Sequence, residues 1–418
     1  MEKRLANSKI REVFTPYSPV SSGELLSGRE SEVAEILGII NTPGQHALIY
    51  GDRGVGKSSV ANTIAQIMND AFGKQVHSKK CSSLDTFTNI IEKVLSDTGV
   101  NTATVESIEE FHEGKDAKAG VAGFGASLKS EKKKVNKTDY REHYCSPAWV
   151  ADYLAERDSL LIIDEADVIQ DDITKVKLAE FIKHLSDSNS KFKVLVVGIG
   201  TTGKELVSNH LSIERCLSEV YLPLIRLSEL RDIVVKGSLK TCIDFSESVI
   251  DDIVDISCGY PHFVHLIALK CAEDAVMNRL SFIDSEILPR ALAKAVECSE
   301  GALRRKYEYA IKPNNNLPRK ILLAAALCHP RGFLIAEVCE MINEVIERGI
   351  KRQAITSLLN RWVNDPELNI IMRVERGHYK FSDPRMMSFI KMINGFTYDK
   401  NNIVSDILRE EYAKRYVS

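Results

Sequence analysis

An apolar run, His46-Ala-Leu-Ile-Tyr50, precedes a stretch of helical periodicity from Lys57 to about Ala71, and Gly51-Asp-Arg-Gly-Val-Gly-Lys57-Ser58 lies between them. This matches G-x-x-x-x-G-K-[ST]. Glycines let successive backbone N–H groups turn inward around phosphates, the lysine carries charge toward the outer phosphates, and the hydroxyl can ligate Mg²⁺. A chance glycine-rich turn would not need a strand before it and a helix after it. The reading assigns Gly51, Arg53, Gly54, Val55, Gly56, Lys57, Ser58 and Ser59 to nucleotide binding, with ATP and Mg²⁺ as the cofactors.

A second group of residues suits the same chemistry. Leu160-Leu-Ile-Ile-Asp164-Glu165-Ala-Asp167 is an apolar strand ending in carboxylates. Asp164 at the strand end is expected to join Ser58 at the metal, and Glu165 to orient the attacking water. An acidic strand-to-helix turn is the plainer alternative for this segment alone. The order of the two motifs favours a joint site that performs ATP hydrolysis.

These side chains need a scaffold. Short apolar runs at His46–Tyr50, Gln75–Cys81, Leu160–Ile163, Lys191–Gly198 and Glu219–Ile225 alternate with helical segments, among them Ser31–Ile40, Leu84–Asp97 and one starting at Ser146-Pro147. Continuous apolar strands alternating with helices predict an α/β fold with a doubly wound parallel sheet. The first twenty-odd residues, with Pro16 and Pro19, read as an extended lead-in. After Arg226 the pattern is helical, with breaks expected at Gly237 and at Cys258-Gly-Tyr-Pro261. Beyond the polar Asn314–Pro318 come three helices and a hairpin, Ile370–Glu375 and His378–Phe381, turning at Arg376-Gly377. The segment 112–138 is an irregular insertion, a surface loop or else a finger that contacts DNA or a partner. The expected division is 1–226, 227–312, 313–395 and a tail helix within 396–418.

Composition excludes some classes. Lys plus Arg numbers 55 against 58 Asp plus Glu, a net charge of -3, so any nucleic-acid contact must be a local patch. The nine cysteines are odd in number and form no CxxC pair, which favours buried reduced thiols over a disulfide frame or zinc site. The charged start and the lack of any apolar run of about 18 residues predict neither a leader nor a membrane span, hence a cytoplasmic protein.

Asp164-Glu165, together with a helical region behind the sheet, resembles the AAA+ family. Leu26-Ser-Gly28-Arg29-Glu30-Ser-Glu32 is similar to the hhGRExE element of STAND ATPases, and Gly259-Tyr260-Pro261 is similar to their GxP motif. The resemblance implies that Arg29 and Pro261 lie near the base and ribose, with Pro261 in a helical lid. His210 to Arg215 resembles the segment where AAA+ proteins place an arginine finger. Arg215 is therefore either a finger reaching a neighbouring subunit or a helix-end arginine paired with Glu214 or Glu219. Two positions depart from the AAA+ pattern. Val196-Val197-Gly198-Ile-Gly200-Thr201-Thr202 lacks the asparagine of the first sensor, and His262 is the ionisable group nearest the place of the second. Slow turnover is expected. Arg319–Phe389 looks like the winged helix of origin-recognition ATPases. Ile355, Leu358, Leu359 and Trp362 face inward there, and Lys351, Arg352, Arg361, Arg373, Arg376 and Lys380 face outward. The resemblance implies an ATP-driven homo-oligomer that binds double-stranded DNA in replication, transposition or antiviral defence. A signalling scaffold that gates a separate effector protein without nucleic acid is the alternative.

Overall fold

The computed structural model describes residues 2–18, 27–100, 146–200, 213, 215–312, 316–329, 332–346 and 349–395. The insertion 112–138, Thr201, Thr202, Glu214 and the tail from 396 onward lie outside the described residues. So do parts of the Asn314–Pro318 linker. The chain forms two compact units. One comprises Ser21–Asp52 and Lys57–Pro223; the other comprises Met1–Val20, Arg53–Gly56 and Leu224–Ser418.

The first of these units is a five-stranded parallel sheet. Its strands are β1 (His46–Gly51), β2 (Gln75–Lys80), β3 (Ser159–Asp164), β4 (Lys193–Ile199) and β5 (Leu217–Tyr221), in the order β2-β3-β4-β1-β5. All five expected strands are present, and helices occupy Glu30–Asn41, Lys57–Asp70, Phe87–Asp97, Pro147–Leu154 and Asp172–Asp187. Leu48, Leu161, Ile163, Val194 and Val196 are buried in the middle of the sheet, the burial on both faces that continuous apolar strands require. The helix Lys57–Asp70 buries Val60, Ile64 and Met68, one residue per turn along a single stripe. Ser146 caps Pro147–Leu154 by accepting from the Trp149 N–H at 3.5 Å, and Asp171 caps Asp172–Asp187 through Ile173 and Thr174. At the sheet's amino end the Lys193 ammonium donates to the carbonyls of Thr42 and Gln45, and His46 Nδ1 accepts the Val194 N–H at 3.1 Å.

The second unit is mainly helical. Its helices are Glu2–Val13, Leu227–Thr241, Glu247–Ser257, Pro261–Asn278, Leu288–Cys298, Gly301–Ala310, Asn316–Ala326, Ile335–Met341, Arg352–Asn364 and Met386–Gly395. Two readings of the sequence are corrected here. Residues 2–13 are a packed helix, not an extended lead-in: Ile10, Val13 and Phe14 are buried, and Arg11 pairs with Glu273. Gly237 does not break a helix but sits inside Leu227–Thr241. A Cβ there would lie 2.3 Å from the Phe14 ring, so glycine is the residue that admits the aromatic. The chain also continues to form strands beyond Arg226. A two-residue parallel pair joins β6 (Asp244–Phe245) and β7 (Phe282–Ile283), and an antiparallel sheet has the order β8-β10-β9, from Phe333–Leu334, His378–Phe381 and Ile371–Glu375. Gly377 turns the expected hairpin at φ +83°. Ile355, Leu359 and Trp362 are fully buried on Arg352–Asn364, and the Trp362 indole donates to the Ala310 carbonyl. Among the described cysteines five are buried, but Cys242 and Cys298 are exposed, which limits the expectation of uniformly buried thiols. No helix among the described residues is long and apolar enough to cross a membrane.

Candidate functional site

Three of the four loop glycine positions explain themselves by geometry. Gly51, Gly54 and Gly56 have φ of +149°, +88° and +97°, values at which a side chain strains the backbone. At Gly51 space is also closed, because a Cβ would meet the Leu222 carbonyl oxygen at 2.5 Å. That approach is fixed by the Leu222 N–H, which donates to the Tyr50 carbonyl at 2.8 Å. The end of β5 thus forces glycine at the point where β1 turns into the loop. Lys57 opens the following helix, is 8% exposed, and donates from Nζ to the carbonyls of Gly51 (3.0 Å) and Asp52 (2.7 Å). Ser58 and Ser59 follow in the same first turn, where backbone N–H groups have no partner within the helix.

The register of the sheet sets the second carboxylate group. Ile163 pairs with Val196, and Val196 pairs with Leu48, so Asp164 is level with Ile49, two strands from β1 or about 9.5 Å away. The Asp164 Oδ1 accepts the Glu165 N–H at 2.9 Å, and its carbonyl accepts from Cys81. Glu165 is left-handed (φ 56°), a conformation that costs a residue with a Cβ about 1–2 kcal/mol. Its carboxylate is 45% exposed and stands 3.2 Å from the Lys80 ammonium at the end of β2. Asp167 turns back to β4, accepting the Ile199 N–H at 2.8 Å.

The structure sorts the remaining candidates. Pro261 begins Pro261–Asn278 with its Cγ 3.8 Å from a Cβ built on Gly56, so the GYP segment does reach the loop tip. Gly259 is required there, since a Cβ would lie 2.8 Å from that of Leu224. Arg29 is 1% exposed, with Nη1 on Glu32 (2.7 Å) and Nη2 on the Pro223 carbonyl; these contacts tie residues 29–32 to the chain after β5. Arg215 is brought to none of the others. It pairs with Asp187 at 2.9 Å, and its carbonyl accepts from Gln45, at the amino end of β1 and β5. His262 turns to Pro16, its Nδ1 2.8 Å from that carbonyl, and burial lowers its pKa.

Some residues at the loop were invisible in the sequence. Arg53 Nη2 is 3.8 Å from Glu300, and a Cβ on Gly54 would meet Arg385 Cδ at 3.2 Å. Arg385 is nearly buried, held by Glu300 (Nη1, 2.6 Å) and Asp383 (Nη2, 2.7 Å; Nε, 3.0 Å). Burial opposes charge on both carboxylates, but their hydrogen bonds to Arg385 and its positive charge outweigh it and hold both below the usual range. Glu300 and Asp383 are 83 residues apart and follow no periodic pattern. Only Asp383-Pro384, a turn signal at the entry to a helix, marked the place.

Residues 40–203 match the family model of the AAA domain. No curated protein matches the chain. Among solved structures, the Walker-type ATPase of Pyrococcus abyssi is similar at 18% identity and a TM-score of 0.50, over 91% of this chain and 99% of that one. Cdc6p of Pyrobaculum aerophilum is similar at 15% identity and a TM-score of 0.49, over 93% and 98%. The Aeropyrum pernix Orc1 protein, solved in complex with DNA, is similar at 15% identity and 0.46, over 93% and 97%. Residues 40–203 thus carry a P-loop fold of the AAA type.

Proposed function

We propose that this chain binds ATP with Mg²⁺ at Gly51–Ser59, hydrolyses it slowly, and uses the nucleotide state as a switch. One observation carries the reading: a strained glycine loop leads into a helix whose first residue is Lys57, and Asp164-Glu165 ends a strand of the same sheet. The donor set suits the group. Loop N–H groups and Lys57 match phosphate oxygens, and the Ser58 hydroxyl and Asp164 carboxylate are the hard oxygen ligands that Mg²⁺ takes. When bound, the ion supplies charge neutralisation on the phosphates. Glu165, held at the strand end by its own N–H bond to Asp164, would orient the water. Pro261 stands at the loop tip, as a residue lining the nucleotide should.

Lys57→Ala should lower affinity for a fluorescent ATP analogue by at least about 100-fold, the loss of a charge-assisted phosphate contact of roughly 3 kcal/mol. Glu165→Gln should keep binding and reduce steady-state turnover by a factor of about 100 or more. Normal turnover in Glu165→Gln would remove that residue from the chemistry.

We further propose that residues 316–395 are a winged helix contacting double-stranded DNA. Lys351, Arg352, Arg361 and Arg376 are exposed on its last long helix and its hairpin turn, where cations meet phosphates. A second reading has its own support. Met372 and Val374 are exposed on β9 at 42% and 52%, and Arg373 is engaged by Asn360 and stacked on Tyr379, a surface better suited to a protein effector. Duplex binding that falls with salt, and falls further in the Arg352, Arg361 and Arg376 triple alanine variant, supports DNA. Absence of binding at low salt leaves the effector. Assignment to the STAND group, to replication, transposition or antiviral defence, and assembly into a homo-oligomer belong to this proposal.

A further inference from the structure

The loop tip Arg53–Gly56 and the segment Asp383–Arg385 belong to one compact unit, although about 330 residues of chain separate them. Four ionic side chains meet there: Arg53, Glu300, Asp383 and Arg385. Their formal charges cancel. The Arg385 fork is fully used, with Nη1 and Nη2 on Glu300 at 2.6 and 3.2 Å and with Nε and Nη2 on Asp383 at 3.0 and 2.7 Å. Its Cδ lies under Gly54, within 3.2 Å of where a side chain would start.

The two carboxylates are not equivalent. Asp383 is two residues from Arg385 and also accepts its backbone N–H, at 3.1 Å, so it travels with the arginine. Glu300 comes from the end of another helix, is 39% exposed, and is shared with Arg53 across 3.8 Å. Phosphates arriving at the loop tip add negative charge to a balanced cluster. Like charges at such range repel by several kcal/mol in a half-buried setting, and the carboxylate free to leave is Glu300.

We propose that Arg385 is a nucleotide-responsive latch: Glu300 holds it against the phosphate loop, and a bound triphosphate takes the place of Glu300 on its guanidinium. The proposal rests on the nucleotide reading given above. The exchange is purely ionic, with one carboxylate leaving the fork and one phosphate entering. Arg385 is at the entrance to Met386–Gly395, whose Ser388 and Lys391 bond the carbonyls of Ser257 and Asp255. Release of Glu300 therefore reports loop occupancy to the helices that end and begin beside it, Glu247–Ser257 and Met386–Gly395.

A double-mutant cycle on the full chain tests this, with the affinity of a fluorescent ATP analogue as readout and thermal melting as a fold control. Glu300→Gln keeps the shape and removes the competing charge, so it should tighten binding by about fivefold or more. Arg385→Lys keeps a cation that cannot span two carboxylates; it should weaken binding, and adding Glu300→Gln to it should recover less than twofold. An affinity unchanged by Glu300→Gln, or equal gains with and without Arg385, overturns the latch. If those results come with Lys57-dependent binding in the unsubstituted chain, the nucleotide site stands and the latch alone fails. If the unsubstituted chain binds no ATP analogue, both fall together.

Discussion

Glycine at position 51 is dictated by a carbonyl. The Leu222 oxygen occupies the space a Cβ would take, and it cannot retreat without breaking the Leu222 bond to Tyr50. Gly51→Ala should therefore cost on the order of 2–4 kcal/mol, combining overpacking with a disfavoured φ, and the thermal midpoint should fall accordingly. Nucleotide affinity should fall with it, because the same turn aims the loop N–H groups. Much of the candidate site was legible at this scale. The phosphate loop, Asp164 and Glu165 are contiguous in sequence and carry their spacing with them. Arg385 and Glu300 were not legible, since nothing local distinguishes a long-range ionic cluster from ordinary surface charge. Arg29 was legible as part of a pattern, yet its contacts are with Glu32 and the Pro223 carbonyl, partners that no motif names.

Among the elements, the strands were the easiest to read and the first helix the hardest. Strands buried on both faces announce themselves as apolar runs. Residues 2–13 are mostly polar, and their packing depends on Phe14 entering a slot opened by Gly237, more than 200 residues away. The slot makes a prediction. Gly237→Ala should destabilise the mainly helical unit by about 1–3 kcal/mol, and pairing it with Phe14→Leu should restore part of the loss in urea unfolding. Two buried histidines add a pH dependence. His265 Nδ1 accepts the Thr15 N–H and His46 Nδ1 accepts the Val194 N–H, so each must be neutral in the fold. Burial, with a nearby positive group, lowers them from 6.5 to about 4 and about 3 respectively. Below pH 6.5 the unfolded chain takes up protons that the fold refuses. Stability is thus full above 6.5 and is lost progressively as pH falls toward 4, then 3. Unfolding midpoints at pH 7 and pH 4.5 should differ, and His265→Asn, which keeps an acceptor in place of Nδ1, should shrink the difference.

For the whole molecule, Arg215 is the residue to watch. It sits at the amino end of β1 while the phosphate loop sits at the carboxyl end, roughly 20 Å along a six-residue strand. It cannot serve the loop of its own chain, so a finger role requires a second copy. Light scattering with and without a slowly hydrolysed ATP analogue should show growth in mass, and turnover per chain should rise with protein concentration. Arg215→Ala should lower that turnover at least about tenfold without weakening binding; a monomer in both states would leave Arg215 as the partner of Asp187 and nothing more.

The helix at residues 2–13 has one more implication, for synthesis. The mainly helical unit holds the start of the chain and everything from Leu224 onward, with the five-stranded sheet threaded between. On a ribosome the sheet emerges whole and can close by itself, while Phe14 must wait for Gly237. At about 5–20 residues per second the wait is roughly 10–40 s. Through that interval an amphipathic helix with Ile10, Val13 and Phe14 uncovered is the segment most in need of a chaperone.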